Sequence, residues 1–550
     1  MRVPGILLRL KASHWGVVGI LVVSTAFFLH AWWAQHPAGL MSVDDSGYSA
    51  MALVDWRSIT EHGLPGFRDV MSVGAPNAPL VPFLAAPLTA MDPMGTAPVL
   101  VLIPFMWLLI VSSYSIYRRF AGPWAAVAGT VVTAFLPGVL SYGRLLQFAL
   151  PLTAVLTAAL AALLASQRLT SRKWSVVFGV LIGLALLTRT VVLAMVPGLM
   201  LAALVLAARR PLDKLWMRNL ALAMVATAVV AGPWYITNFW AVGHYLVGAG
   251  YSPSSPFYVP TAPWLVRLAQ IIGQDFLVPL TVVGLGIVVL ASARRILVRD
   301  RSVQPTKASG ELDPRLAIAV VAVAAGWYFL ALSSSHNVGT GFTLPLAPLL
   351  VGLVLYAGRR LGRRQALAAG AVVMLVVAFN SGAALIPLGR SGVGDIPGAG
   401  DIGFVDGRSI SDAQLAQALG VPGVPISDPK ALGSALRQAN CAIAARASFG
   451  PILTTRPDAL LGGIQYCAEG VYRTQADVKA IACVQSDAAC IARVIDQNKF
   501  QTIVTGDSRA PYPGYFPEAV VLPALTGYRI SIEIEIAPGE LVHVWVPREP

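Results

Sequence analysis

The sequence predicts an α-helical, polytopic membrane protein with a soluble α/β domain at its C-terminus. Of the 550 residues, 56% are hydrophobic and 12% charged, and the mean hydropathy is +0.68, which is too apolar for an ordinary soluble domain. Basic residues gather in every second loop between the apolar runs. All four cysteines lie in the polar C-terminal segment. These three observations together predict the fold class.

Apolar runs long enough to cross a hydrocarbon core of ~30 Å as helices occur roughly eleven times. They cover residues 14–34, 97–116, 121–140, 147–166, 174–188, 190–208, 217–236, 269–292, 315–333, 340–357 and 365–387. The first run is longer than a secretory signal and has no small-residue cleavage site after it, so we expect it to be retained as a helix.

The positions of the basic residues predict the topology. Six loops hold 22 of the 40 Lys and Arg residues and only four acidic residues. These loops are residues 2–11, 118–119, 168–173, 209–218, 294–315 and 359–364. By the positive-inside rule these loops face the cytoplasm. We therefore expect a multi-pass protein of the cytoplasmic membrane. The net charge of +13 is therefore explained by the basic residues of the cytoplasmic loops. It predicts no nucleic-acid partner.

This topology divides the chain into two domains. Residues 1–388 form the transmembrane domain, with a cytoplasmic N-terminus and a long first outer loop at 36–96. An odd number of spans places residues 389–550 outside the cytoplasm. That tail holds 13 basic and 16 acidic residues, as an ordinary soluble surface does. A Gly- and Pro-containing stretch, residues 391–400, is predicted to link the two domains.

Periodicity in the tail predicts helices alternating with strands, which is typical of an α/β domain. The predicted helices are 428–446 and 486–498, the buried strands 451–455 and 501–506, and a hairpin pairs 527–536 with 540–546.

The four cysteines, Cys441, Cys467, Cys483 and Cys490, are even in number and confined to a domain that is predicted to be exported. This pattern favours disulfide bonds, although four cysteines allow three pairings. Buried free thiols are the alternative.

The first acidic residues of the chain form a pair, Asp44 and Asp45, where the first apolar run ends. A carboxylate near a bilayer is costly unless it faces water or a polar cavity. Either residue would suit the N-cap of a helix starting at Ser46, or the pair would be a solvated loop. Perturbed carboxylates also serve catalysis, which is the third interpretation.

Four stretches, in the same order, resemble the GT-C membrane glycosyltransferases, the superfamily of the protein mannosyltransferases and aminoarabinose transferases. Those enzymes take a sugar from a polyprenyl-phosphate carrier. The stretches are the acidic pair followed by Tyr48, the Gly-Arg-Leu-Leu-Gln-Phe-Ala-Leu-Pro run at 143–151, the Gly-Leu-Ala-Leu-Leu-Thr-Arg turn at 183–189, and Gly-Pro-Trp-Tyr-Ile-Thr-Asn at 232–238. The composition is typical of a high-GC bacterium.

The resemblance implies roles for several residues. Asp44 and Asp45 are the implied catalytic pair, one as the base that takes the acceptor proton. Arg144 and Arg189 would bind the donor phosphate, because guanidinium forks suit phosphate oxygens. Snorkelling to lipid headgroups is the alternative role for both arginines.

Substrate contacts are implied for five more residues: Tyr48, Trp234, Tyr235, His336 and Asn337. The aromatic residues would stack on sugar or polyprenyl, or else belong to the interfacial belt. A structural, hydrogen-bonded role is the alternative for His336.

The sequence contains no Walker motif and no HExxH, and it predicts no particular cofactor. The sequence neither predicts nor excludes a divalent cation as a cofactor. Gln147 occupies a position where relatives often carry an acid, and Thr237 one where many carry Arg.

The predicted function is transfer of a sugar from a polyprenyl-phosphate donor to a glycan, lipid or protein acceptor, for cell envelope or cell wall biosynthesis. Lipid phosphate leaves without protonation, so one Asp suffices and the anomeric centre inverts. Membrane lipids are the other expected partners. A flippase or transporter of lipid-linked saccharides and a non-catalytic scaffold for envelope assembly are the alternatives.

Overall fold

A computed structural model gives the fold. It describes residues 12–35, 43–72, 77–91, 97–208, 214–251, 259–297, 312–339, 341–385, 390–396, 400–406, 440–445, 452–454, 478–480, 488–506, 518–537 and 540–548. At Asp44 and Asp45 the description covers the backbone. Most of the predicted membrane domain and parts of the C-terminal domain fall within these ranges.

The described part of the membrane domain is helical. Its α-helices are α1 Ala12–Gln35, α2 Val43–His62, α3 Leu64–Ser72, α4 Leu80–Thr89, α5 Leu102–Tyr117, α6 Pro123–Ala134, α7 Pro137–Tyr142, α8 Ala149–Ala165, α9 Arg172–Leu186, α10 Val192–Ala207, α11 Lys214–Thr237, α12 Phe239–Tyr251, α13 Pro263–Gln270, α14 Leu277–Leu297, α15 Pro314–Ser334, α16 Ala347–Gly358 and α17 Arg363–Leu385. Two 3₁₀ turns, Ala97–Val101 and Leu344–Leu346, precede α5 and α16, and the π-helix Ile271–Phe276 precedes α14.

Six helical segments in this part of the chain are long and apolar enough to cross a membrane, and shorter apolar helices accompany them. Each of the roughly eleven predicted spans coincides with helix, so the fold class is confirmed. The predicted span 121–140 is broken, because α6 ends at Ala134 and α7 begins at Pro137. Proline disfavours the helical conformation at the preceding residue, and Leu136 has a ψ of 139°.

Helix α8 lies at the centre of the membrane domain. All of its residues from 149 to 164 are buried, and it packs against α5 and α9. Its many alanines let neighbouring helices approach closely. Helices α9 and α11 also approach closely: a Cβ on Gly179 would lie 2.0 Å from the carbonyl oxygen of Ala223. Only glycine fits there.

The stretch that was predicted to be a linker forms part of a hairpin. Strand β1, Arg390–Ile396, pairs antiparallel with β2, Gly400–Asp406. The prediction of a linker at 391–400 was therefore wrong. The stretch contains Val393 and Ile396, and β-branched residues are enriched in strands.

The rest of the described tail is a five-stranded mixed sheet. It consists of β3 Ile452–Thr454, β4 Val478–Ala480, β5 Thr502–Gly506, β6 Tyr528–Ala537 and β7 Glu540–Pro547, in the order β4-β3-β5-β7-β6. Strands β3, β4 and β5 are parallel, whereas β7 is antiparallel to β5 and β6. Both predicted buried strands and the predicted hairpin are confirmed.

Helix α18, Ala488–Asn498, covers this sheet by packing Ile491 and Ile495 with Leu453 and Ile503. It confirms the predicted helix 486–498. A short helix, α19 Glu518–Val521, follows β5. Of the predicted helix 428–446, only 440–445 are described, and they are helical to Ala444.

Neither Cys441 nor Cys490 is a free thiol. Cys467 and Cys483 lie outside the described residues, so the disulfide pairing stays a prediction.

Candidate functional site

Helix α2 carries the acidic pair in its first turn. It begins at Val43, so the backbone of Asp44 and Asp45 is already helical. The expectation that the pair caps a helix starting at Ser46 is therefore wrong, because the helix begins at Val43, about one turn earlier. Negative charge in a first turn is favoured by the helix dipole. Since residues three and four apart share a helix face, both positions lie on the face of Tyr48.

Arg189, just after α9, contacts three different segments of the chain. Its guanidinium donates to the Tyr48 hydroxyl at 3.4 Å and to the Tyr245 hydroxyl at 3.3 Å. It also donates to Oδ1 of Asn77, just before α4. Its Cζ lies 4.7 Å from the ring centroid of Phe148, a cation–π geometry. The side chain is thus fixed in a polar junction beside the first outer loop.

Backbone contacts hold the turn that presents Arg189. Leu187 accepts a hydrogen bond from the backbone N–H of Leu80 on α4, at 2.9 Å. Leu186 accepts one from the Tyr235 hydroxyl on α11, at 3.1 Å. Because α9 ends here, these carbonyls have no partner one turn further along. The end of α9 therefore contacts both α4 and α11 and holds them close to each other.

Asn238 supplies a further link, from the end of α11 to α3. Its Nδ2 donates to the carbonyl oxygen of Met71 at 3.2 Å and to that of Trp234 at 3.0 Å. The last residue of the Pro-Trp-Tyr-x-x-Asn stretch therefore positions α3. Trp234 itself is fully buried and packs edge-on against Tyr235, with ring centroids 4.9 Å apart. In this structure Trp234 has no surface left for a substrate.

Arg144 is the second predicted phosphate ligand. It is buried between α7 and α8, with an exposed fraction of 8%, and its Cζ lies 5.3 Å from the ring centroid of Phe27 on α1. Phe148, which stacks on Arg189, follows four residues later. The stretch 143–148 thus holds one arginine and packs against the other. Gln147 is buried beside them.

The turn between α15 and α16 is held by α13. Arg267 is buried and donates to the carbonyl oxygens of Gly339, at 3.1 Å, and Asn337. It also donates to Oε1 of Gln270 at 3.0 Å, and the amide of Gln270 donates to the carbonyl oxygen of Val338. Two polar side chains one helical turn apart thereby satisfy three carbonyls of an irregular segment.

His336 and Asn337 serve this turn. Nδ1 of His336 lies 2.7 Å from the carbonyl oxygen of Val259, and since a carbonyl only accepts, Nδ1 carries the proton. Oδ1 of Asn337 accepts from the N–H of Gly339 at 2.9 Å. Both predicted substrate-binding residues therefore have structural partners here.

An aromatic pair joins this turn to Arg189. Phe342 and Phe148 have ring centroids 5.0 Å apart with an interplanar angle of 31°. Arg267 lies over Phe342 at 5.8 Å, and Arg189 lies over Phe148 at 4.7 Å. Each ring of the pair thus contacts one guanidinium group, so displacement of the turn would alter the support of Arg189.

Two buried carboxylates had not been predicted as functional. Asp55 of α2 is fully buried, and neither carboxylate oxygen has a hydrogen-bond partner among the described residues. Burial raises the pKa of Asp55 to about 7. Asp275 is buried in the π-helix, next to Gly138, where a Cβ would lie 2.9 Å from Oδ1. Asn77 and Tyr245 were also missed, because no motif or spacing marks them in the sequence.

Within the described ranges, no three His, Cys, Asp or Glu side chains meet as a metal site.

The arrangement of these helices is the GT-C glycosyltransferase fold, a class of polytopic membrane proteins. The fold shown here confirms the resemblance that the four sequence stretches indicated.

Three solved structures carry the comparison. ArnT from Cupriavidus metallidurans bound to undecaprenyl phosphate matches with a TM-score of 0.56 and 16% identity, over 97% of this chain and 98% of that one. Its apo state gives 0.57 and 16%, over 96% and 98%. The mycobacterial arabinofuranosyltransferase AftD gives 0.55 and 12%, over 98% of this chain but 40% of that one. No family model matches the sequence, and no curated protein matches it.

Proposed function

We propose that the chain is a glycosyltransferase that moves a sugar from a polyprenyl-phosphate donor to an acceptor hydroxyl. The observation that carries the proposal is the contact of Arg189 with Tyr48, one helical turn along α2 from Asp44 and Asp45. A fixed cation and a pair of acidic positions on one helix face are what this reaction requires.

The acidic pair supplies the base. Asp44 takes the proton from the acceptor hydroxyl, whose oxygen then forms the new bond to the anomeric carbon. Asp45 is its partner or binds the acceptor. Attack on the face opposite the leaving phosphate inverts the anomeric centre.

Arg189 and Arg144 stabilise the departing group. The bond between the anomeric carbon and the phosphate oxygen breaks, and its electron pair leaves with the lipid phosphate. A guanidinium fork pairs with two phosphate oxygens. Arg189 keeps its orientation through Tyr48, Asn77 and Tyr245, so little reorganisation is needed when charge develops.

The fold similarity supports a lipid-phosphate donor, since ArnT binds undecaprenyl phosphate and matches over nearly the whole chain. AftD, which matches as well, is named an arabinofuranosyltransferase. In this proposal the reaction takes place on the outer face of the cytoplasmic membrane, with the N-terminus inside and a disulfide-bonded tail outside.

The base assignment is tested with purified protein and a panel of polyprenyl-phosphate sugars. Asp44→Asn together with Asp45→Asn should abolish formation of the glycosidic bond. Glu61→Gln is the matched control, because Glu61 is an exposed carboxylate at the other end of α2. Substantial turnover by the double variant, with folding intact, would remove the catalytic assignment.

The two single variants separate the roles of the pair. Loss of the base lowers kcat, whereas loss of an acceptor contact raises KM for the acceptor. If lipid-linked sugar crosses reconstituted vesicles without bond formation, the flippase alternative replaces the proposal. If deletion of 389–550 removes function while both Asn variants keep it, the scaffold alternative does.

The phosphate ligands are tested by donor kinetics. Arg189→Ala and Arg144→Ala should each raise KM for the donor by about tenfold or more, because a charged hydrogen bond contributes roughly 1.5–3 kcal/mol. Arg68→Ala is the control, since Arg68 is an exposed arginine on α3. Unchanged donor kinetics in both variants would mark these arginines as lipid anchors.

A further inference from the structure

An apolar groove of about 640 Å³ lies between α6, α14, α16 and α17. Its walls consist of small and aliphatic side chains such as Val132, Ile287, Val354 and Met374. Cavities of roughly 300–1,000 Å³ are typical of small-molecule sites. The groove is therefore large enough for an extended hydrocarbon chain.

Glycines keep the groove open. A Cβ on Gly370 of α17 would meet no atom within 4 Å, and one on Gly284 of α14 would meet only Val354, at 3.7 Å. The helices thus face each other here without filling the space between them. Apolar walls that touch nothing lose their dispersion contacts. In a membrane, a lipid chain is the material that restores them.

Three arginines from three elements meet at one end of the groove. Arg359, which follows α16, and Arg363, the first residue of α17, line it. Arg294 of α14 reaches the loop between them, since a Cβ on Gly362 would lie 2.9 Å from its Nη1. None of the three forms an ion pair with any described residue. Their positive charge is therefore available to an anion.

Aromatic residues lie at the same level. Trp124, at the start of α6, lines the groove and is 63% exposed. Cζ of Arg359 lies 5.7 Å from the ring centroid of Tyr356. Trp and Tyr gather at the headgroup level of membranes. The mouth of the groove thus has the aromatic and basic residues of a lipid headgroup region.

The groove is separate from the site around Arg189. Helix α16 starts at Ala347, just after the turn with Phe342, and ends at Gly358. Twelve residues of α-helix extend about 18 Å. The arginine-lined mouth therefore lies at the far end of α16 from the aromatic pair that supports Arg189, on the face where the basic loops gather.

We propose that this groove binds an anionic phospholipid of the membrane leaflet on the basic face. The phosphate of the lipid lies among Arg294, Arg359 and Arg363, and one acyl chain lies between α14 and α17. Basic pockets between transmembrane helices on the cytoplasmic side recognise such headgroups. The three arginines match the negative charge of the headgroup, and the apolar groove matches the acyl chain.

The bound lipid attaches α17 to the rest of the domain. In the most apolar stretch of α17, only 11% of the residues are buried inside the protein. This helix also leads into the C-terminal domain. An acyl chain between α17 and α14 adds contacts that the protein alone lacks, so the proposal includes a stabilising effect of the lipid.

The test uses full-length protein in detergent, titrated with phosphatidylglycerol or phosphatidylcholine and followed by native mass spectrometry and thermal unfolding. The wild type should bind phosphatidylglycerol more tightly than phosphatidylcholine. Arg359→Gln and Arg363→Gln should each weaken that binding about fivefold, the effect expected for one basic residue near a phosphate. Arg364→Gln, which changes the next residue of α17 but one outside the groove lining, should leave it unchanged.

A second variant tests the groove without changing charge. Gly370→Leu fills the open space beside α17 and should also weaken phosphatidylglycerol binding. Equal affinity for the two lipids, or equal losses in Arg359→Gln and Arg364→Gln, would overturn the proposal, since the attraction would then be unspecific. Tighter binding of undecaprenyl phosphate that Gly370→Leu abolishes would overturn it too, because the groove would then serve an isoprenoid.

Discussion

The guanidinium of Arg189 and the hydroxyl of Tyr48 lie 3.4 Å apart although 141 residues separate them in sequence. This contact brings the end of α9 to the helix that starts with the acidic pair. Tyr48 is 1% exposed, so the contact lies in the interior of the protein and is not a transient contact at a mobile surface. The proposed donor site therefore depends on how the outer loop is held.

Tyr48→Phe removes the hydroxyl that accepts from Arg189. One weakened hydrogen bond to a charged donor should raise KM for the polyprenyl-phosphate donor about fivefold and leave kcat within about twofold. Steady-state kinetics with varied donor measure this. Tyr114→Phe is the control, since its hydroxyl bonds Ser13 on α1. A pure loss of kcat would show that Tyr48 acts in the chemical step instead.

Asn238→Ala should loosen α3. The carbonyl of Met71 loses its donor, so α3 opens more often and trypsin should cleave after Arg68 about fivefold faster. Limited proteolysis with mass detection of the fragments measures the rate. The neighbouring Thr237→Val leaves the Met71 contact intact and should not accelerate cleavage. An unchanged rate in Asn238→Ala would mean that other contacts alone hold α3.

Arg267→Met should destabilise the protein. The carbonyls of Asn337 and Gly339 lose a buried donor, and each unsatisfied group costs about 1–3 kcal/mol. Thermal unfolding in detergent should show a lower Tm than for Arg315→Met, which alters an exposed arginine on α15. If both variants unfold at the same temperature, Arg267 does not hold the turn.

Asp55 should make stability depend on pH. Its pKa is about 7 in the folded protein and 3.8 in the reference state, because burial favours the neutral form. The folded state therefore holds a proton that the unfolded state releases, and the contribution to stability is lost as pH rises from about 4 through about 7. Asp55→Asn keeps the shape without the proton and should unfold at a more constant temperature between pH 5 and 8.

The experiment compares Tm across that pH range for the wild type, Asp55→Asn and the exposed control Glu61→Gln. The control should follow the wild type. If Asp55→Asn follows it as well, another group is responsible for the pH dependence.

Local patterns predicted much of this fold, and long-range contacts were beyond them. Apolar runs gave the positions of the helices, and alternation gave the strands of the tail. The hairpin at β1 and β2 was mistaken for a linker, because glycine and proline are typical of turns and loops. Asn77 and Tyr245 were missed at the site, since their meaning comes only from meeting Arg189.

The residues that contact Arg189 come from distant parts of the sequence, and this affects when the junction can form during protein synthesis. Asn77, Arg189 and Tyr245 leave the ribosome far apart in time, because 112 residues separate the first two and 56 the last two. At about 5–20 residues per second, the acidic helix precedes the last partner of Arg189 by roughly ten to forty seconds. An unfinished chain therefore has the acidic helix but not yet all the partners that hold Arg189.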